Sequence, residues 1–166
     1  MLETERLVIR EMCPDDVDAV YSVYDGNDLS YMEGLYDDKD REREYIKDYQ
    51  KYIYNFYDFG IWLFEEKTTG EVIGRGGVEQ KVYEDGTEGL ELGYIVRKDK
   101  QRQGYAYEAL SAIIMYLREH FDVNEIKVSI HRENKPSVGL AKKLGAEFAE
   151  GQTALYIVGN IRFIDE

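Results

Sequence analysis

Residues 91–106 read Glu91-Leu92-Gly93-Tyr94-Ile95-Val96, then Arg97-Lys98-Asp99-Lys100, then Gln101-Arg102-Gln103-Gly104-Tyr105-Ala106. The first six form a strand with a glycine inside it, and the next four a polar loop. Ala106, Ala109, Leu110, Ile113, Leu117 and Phe121 then recur on one helical face. A short loop opening a long helix makes an anion cradle. Its amides converge on one spot, the helix dipole favours negative charge there, and the missing side chain at Gly104 lets a diphosphate approach. Arg102 and Lys100 stand where they add charge-assisted contacts. A glycine in an ordinary strand-to-helix turn looks the same taken alone, so the neighbouring elements decide.

Upstream, Glu5 to Glu11 is a first strand, and Pro14, Asp15 and Asp16 start a helix that buries Val17, Val20 and Tyr24 and ends at Gly26. Residues 26–38 read as loop. From Lys39 a charged helix carries Tyr45, Tyr49, Tyr52 and Phe56 on related faces. Seven of the 15 tyrosines fall between Tyr31 and Tyr57, where they either wall a substrate cleft or pack a core. Phe59 to Phe64, the turn Lys67-Thr68-Thr69-Gly70 and Val72-Ile73-Gly74 make an antiparallel hairpin. Gly74, Gly76 and Gly77 mark a bulge or a close backbone approach. Glu84-Asp85-Gly86-Thr87 turns the chain into the strand Glu88 to Val96.

Downstream, Ile126 to Ile130 alternates as a half-buried strand, and Pro136 begins a short helix that ends at Gly145. Phe148 and Ala154 to Val158 form a last pair, with Gly159-Asn160 breaking or turning the final strand. No repeat or linker divides the chain, so residues 1–166 read as one domain.

Composition narrows the function. The chain has 166 residues, 43% hydrophobic and 33% charged, which suits a single globular core. No run approaches the roughly 20 apolar residues of a membrane helix, and the charged start Met1-Leu2-Glu3-Thr4-Glu5-Arg6 is no signal peptide, so a cytoplasmic location is expected. The single Cys13 makes no internal disulfide, and His120 and His131 make no metal cluster. A net charge of -13 repels nucleic acid and anionic membrane and favours a cationic partner, although the same charge also keeps a protein soluble. The glycine pattern is wrong for a dinucleotide-binding fold and lies mid-chain.

The order strand, Gln101-x-x-Gly104-x-Ala106, helix, strand, Asn134-x-x-Ser137, helix and Lys143-Leu144-Gly145 resembles the GNAT superfamily of N-acetyltransferases over nearly the whole chain. Thr4 to Arg10 and Glu91-Leu92-Gly93-Tyr94 resemble strands of the branch that includes ribosomal-protein N-terminal acetyltransferases. The resemblance implies an α/β (α+β) fold. A mixed, mostly antiparallel, twisted sheet of six to seven strands carries about four helices and splays after the fourth strand. It implies acetyl-CoA as cosubstrate, with pyrophosphate on the amides of Arg102, Gln103, Gly104, Tyr105 and Ala106 after Gln101. The pantetheine arm then lies along Tyr94-Ile95-Val96, and a bulge at Gly93 would free that edge. Asn134 matches the asparagine that binds the cofactor arm, or serves only as a helix cap.

Acetyl transfer to an amine needs a base, a polarised carbonyl and a proton for the thiolate. Glu91 is the candidate base, acting directly or through water, or else a strand glutamate paired with a lysine. The family often places a donor tyrosine where this chain has Ala141, so the role passes to Ser137, which matches a serine of the ribosomal-protein branch. The segment Gly151-Gln152-Thr153 is shorter than that branch has, which leaves the acceptor open among peptide N-termini and small cationic amines. No metal is expected, and the chain is expected as a monomer or homodimer. The alternative is a catalytically silent acyl-CoA-binding sensor or scaffold of the same fold.

Overall fold

The computed structural model describes residues 1–32, 34–83, 86–150, 152 and 154–163. Glu84 and Asp85 of the turn, and Gly151 and Thr153 of the short segment, lie outside the described residues. Eight strands form one sheet: β1 (Leu2–Glu3), β2 (Leu7–Arg10), β3 (Ile61–Glu66), β4 (Val72–Val82), β5 (Glu88–Val96), β6 (Glu125–His131), β7 (Glu147–Phe148) and β8 (Tyr156–Arg162). Their order is β1-β2-β3-β4-β5-β6-β8-β7. Every neighbouring pair is antiparallel except β5 with β6, which is parallel and pairs at a single position, Glu91 with Lys127. Beyond that position the sheet splays, after what the sequence counts as its fourth strand. The eighth strand comes from β1, two residues that propensity cannot register.

Among the described residues four helices accompany the sheet: α1 (Val17–Tyr24), α2 (from Lys39), α3 (Tyr105–His120) and α4 (Lys135–Lys143). Register puts Arg75, Glu79, Glu91 and Ile95 on one face of the sheet and Gly76, Val78, Leu92 and Tyr94 on the other. α1 and α2 cover the first face, and α4 reaches the second through a Tyr94–Ser137 hydrogen bond. Ala109, Leu110, Ile113 and Leu117 of α3 are buried, as their spacing predicts.

The tyrosine-rich helix departs from its regular period. After Lys39–Tyr49 it passes through a π-helical stretch, Gln50–Tyr54, and ends with the turn Asn55–Tyr57. The extra residue per turn rotates everything after it. Tyr49 and Tyr54, five apart, are therefore both buried, while Tyr52 and Phe56 are 58% and 76% exposed. An unbroken helix would have put Tyr52 and Phe56 inward. The final strand also departs from expectation: β8 runs through Gly159 and Asn160 without a break. Gly159 is there because the Phe148 ring lies on it, 2.8 Å from where a Cβ would stand.

The glycines of β4 mark close backbone approach. A Cβ on Gly77 would lie 1.9 Å from the Gly60 carbonyl oxygen, and one on Gly76 2.7 Å from the Tyr94 Cβ. Pairing of β4 with β5 runs unbroken through Gly77–Gly93, so the splay arises on the β6 side without a bulge toward β4. Gly77→Ala should cost about 3 kcal/mol, the upper end for forcing a methyl group into a packed site, measured by urea unfolding.

Candidate active site

The loop before α3 is held in an uncommon conformation. Arg102 has φ 60° and Gly104, the helix cap, φ 87°. The first helical amide bond here runs from Glu108 to the Gly104 carbonyl at 3.0 Å, so the amides of residues 105–107 stand ahead of the ladder and face outward from the helix end. This is the backbone arrangement that the expected cradle requires.

Two carboxylates anchor it. Glu66, at the end of β3, accepts from Lys100 Nζ at 2.8 Å, from Thr69 Oγ1 at 2.9 Å and from the Tyr105 hydroxyl, tying both ends of the loop to the sheet. Lys100, expected to face phosphate, is thereby committed to Glu66. The hydrogen bond from Lys100, then those from Tyr105 and Thr69, hold the Glu66 carboxyl down at about 2. On the other side Glu108 of α3 accepts from Thr4 Oγ1 at 2.6 Å, the Arg6 amide at 2.8 Å and Arg6 Nε at 2.7 Å. Arg6 also donates to the Gln103 carbonyl at 3.0 Å and covers the Tyr105 ring at 4.1 Å. The opening residues Thr4 and Arg6 are thus the loop's outer clamp.

Gln101 uses its side chain internally, donating to Asn27 Oδ1 at 2.6 Å and to the Val96 carbonyl at 3.0 Å. Gln103 likewise donates to the Asp99 carbonyl at 2.9 Å. Arg102 is exposed. Asn134 caps α4, its Oδ1 accepting from the Ser137 amide at 3.3 Å, which is the cap reading of this residue. Ser137 Oγ meets the Tyr94 hydroxyl at 3.1 Å. Burial raises the Tyr94 phenol above its usual range, and the Ser137 contact offsets part of that rise. Ala141 is buried, 4% exposed, so no side chain there enters the site.

On the α1–α2 face a cleft of about 420 Å³ opens onto Gly93, Tyr94 and Ile95. Tyr24, Tyr36, Tyr45, Glu42, Arg75 and Glu79 line it, so part of the tyrosine-rich segment does wall a cleft. Glu79 Oε1 accepts from the Tyr49 hydroxyl at 2.9 Å, and Glu42 Oε2 from the Tyr36 amide at 3.2 Å. Burial, then the Glu79 charge, pushes Tyr45 up to about 12 and Tyr49 higher still. Glu91 lies directly across the ladder from Glu79. It is outside the cleft lining, however, and its Oε1 takes Lys81 Nζ at 2.6 Å, the lysine pairing that the sequence left open beside the base role.

The chain matches the acetyltransferase (GNAT) domain over residues 6–147. It belongs to the GNAT family of acetyltransferases. The GNAT relatives include an uncharacterised N-acetyltransferase of Bacillus subtilis, YnaD, 31% identical over 147 residues, covering 87% of this chain and 81% of that protein. An acetyltransferase from Agrobacterium tumefaciens superposes with a TM-score of 0.79 at 20% identity, covering 98% and 94% of the two chains. A ribosomal L7/L12 α-N-protein acetyltransferase solved with coenzyme A superposes with a TM-score of 0.76 at 12% identity, covering 96% of each. Membership of this GNAT family makes the chain an acetyl-transferring enzyme. No helix among the described residues is long and apolar enough to cross a membrane.

For the GNAT site, the structure gathers Tyr94, Ile95, Val96 and residues 101–106 along one strand-loop-helix path, with Ser137 beside Tyr94. It leaves Glu91 to one side. Sequence reading missed Glu79, Glu66 and Arg6, because each gains its place through a partner 30 or more residues away. A buried carboxyl held near 2 rather than its ordinary 4.5 contributes stability that is fully present above about 4.5 and is lost as pH falls toward 2. Glu66→Gln should therefore be less stable at neutral pH and show a flatter dependence across that acid window, followed by unfolding at a series of pH values.

Proposed function

We propose that this enzyme moves an acetyl group from acetyl-CoA to a primary amine by direct attack within a ternary complex. The observation that carries this reading is continuity. The acceptor cleft opens on Gly93 to Ile95, immediately past the last rung shared by β5 and β6, and the same strand leads into the cradle at residues 102–106. A thioester laid along β5 would have its phosphates on the cradle and its acetyl group at the cleft.

Each chemical requirement has a candidate on this path. Glu79 lines the cleft and takes the proton of the attacking amine. It replaces Glu91 in that role because the Glu91 carboxylate is held by Lys81. A backbone amide within Tyr94 to Val96 polarises the carbonyl. When the carbon–sulfur bond breaks, the Tyr94–Ser137 hydroxyl pair returns a proton to the thiolate. Amines of peptide N-termini and small cationic amines both satisfy this chemistry.

A thiol-release assay with acetyl-CoA and an amine panel is expected to show turnover. Glu79→Gln should lower kcat at neutral pH by about 100-fold or more, the usual range for removing a general base, and Glu91→Gln by much less. The opposite order of effects would return the base to Glu91. Gly104→Val should weaken acetyl-CoA binding measured by calorimetry, since β-branched residues strongly resist positive φ.

A further inference from the structure

Arg75 contrasts with three other half-buried arginines of this acidic chain, Arg6, Arg10 and Arg97. Arg10 meets Asp16 and Glu65, Arg97 meets Asp99 and Glu71, and Arg6 meets Glu108. Arg75, in the wall of the cleft, meets no carboxylate among the described residues. Its contacts are the Tyr24 ring at 5.5 Å and the Met12 sulfur at 3.9 Å. With 34 acidic side chains in the sequence, a half-buried guanidinium left to a ring face and a thioether is a cation awaiting an anion.

The same cleft holds two carboxylates that pair with no cation among the described residues. Glu42 is 2% exposed and bonds a backbone amide, and Glu79 bonds a phenol. Neither reaches Arg75 within ion-pair distance. The Tyr45 hydroxyl lies within the field of all three charges. Arg75 and Glu79 share a face of β4 four residues apart, about 13 Å between their Cα atoms at the usual rise per residue. One cavity therefore presents separated positive and negative ends that do not neutralise each other.

We propose that the acceptor is an amino carboxylate, an amino acid or short peptide with a free carboxylate. The carboxylate docks on Arg75 while the ammonium is received by Glu79 and Glu42. The planar guanidinium fork matches a carboxylate bidentately, and the rings of Tyr24, Tyr36 and Tyr45 suit an apolar or aromatic side chain beside the two charges. This assignment rests on the acetyl-transfer reading of the same cleft. Acetylation turns the ammonium into a neutral amide, so the product keeps only its hold on Arg75, which favours release.

The test pairs phenylalanine with phenylalaninamide, and alanyl-phenylalanine with its amide, each pair differing only in the carboxylate. Binding is measured by calorimetry on the full chain with and without coenzyme A. At least one free acid should bind about 10- to 100-fold more tightly than its amide, the range for one charge-assisted contact. Arg75→Met should erase that difference and Arg75→Lys keep part of it, with circular dichroism confirming that both variants fold. Equal affinity for acid and amide in the native protein, no binding of either pair, or a preference that survives Arg75→Met would each overturn the proposal. Acetyl-CoA binding is read separately in the same samples. Its absence would overturn the transfer reading, while the acid–amide difference stands or falls as a binding quantity.

Discussion

The centre of this enzyme depends on a strand pair that meets at one rung and then parts. Glu91 of β5 faces Lys127 of β6, and no further pairing joins them, although both strands are fully laddered on their other sides. Backbone amides and carbonyls inside a protein must find partners, so an opened edge next to a cleft is a place where a ligand's own amides can complete the sheet. The Val96 carbonyl, at the end of that edge, is already taken by Gln101 and Asn27. The free stretch is thereby confined to the residues before it.

The loop that follows needs outside support. A left-handed backbone at Arg102 costs about 1 kcal/mol, and such a conformation persists only where its surroundings hold it. Glu66 and Glu108 supply the hold, one gripping Lys100 and Tyr105 from the sheet, the other gripping Arg6, which reaches the Gln103 carbonyl. The amides of the cradle are thus aligned by ion pairs that lie behind them. This is preorganisation: the cost of ordering the loop is met during folding.

Much of this was legible from residue order. Gly104 after a polar loop and before an apolar helical stripe announced the start of α3, and Gly74, Gly76 and Gly77 announced close backbone contact, because both signals are local. Tyr52 and Phe56 misled, since a single π-helical stretch rotates the second half of α2 and period counting assumes a constant turn. Glu79 escaped notice because it reads as one more acid in an acidic chain. Only the β4–β5 register and the packing of α2 over it bring Glu79 to Tyr49 and into the cleft.

By itself, then, the sequence determined the order of strands and helices, the glycine-capped loop that opens α3 and the family to which they belong. These follow from spacing within a few residues, where periodicity, caps and backbone permissiveness act. The tertiary structure decided which carboxylates line the cleft, which lysine is withdrawn to Glu66 and which arginine has no counter-ion among the described residues. Those outcomes turn on pairings between residues from 10 to 34 positions apart. Chain order carries no distance across such separations, and only the packed sheet sets which charges meet.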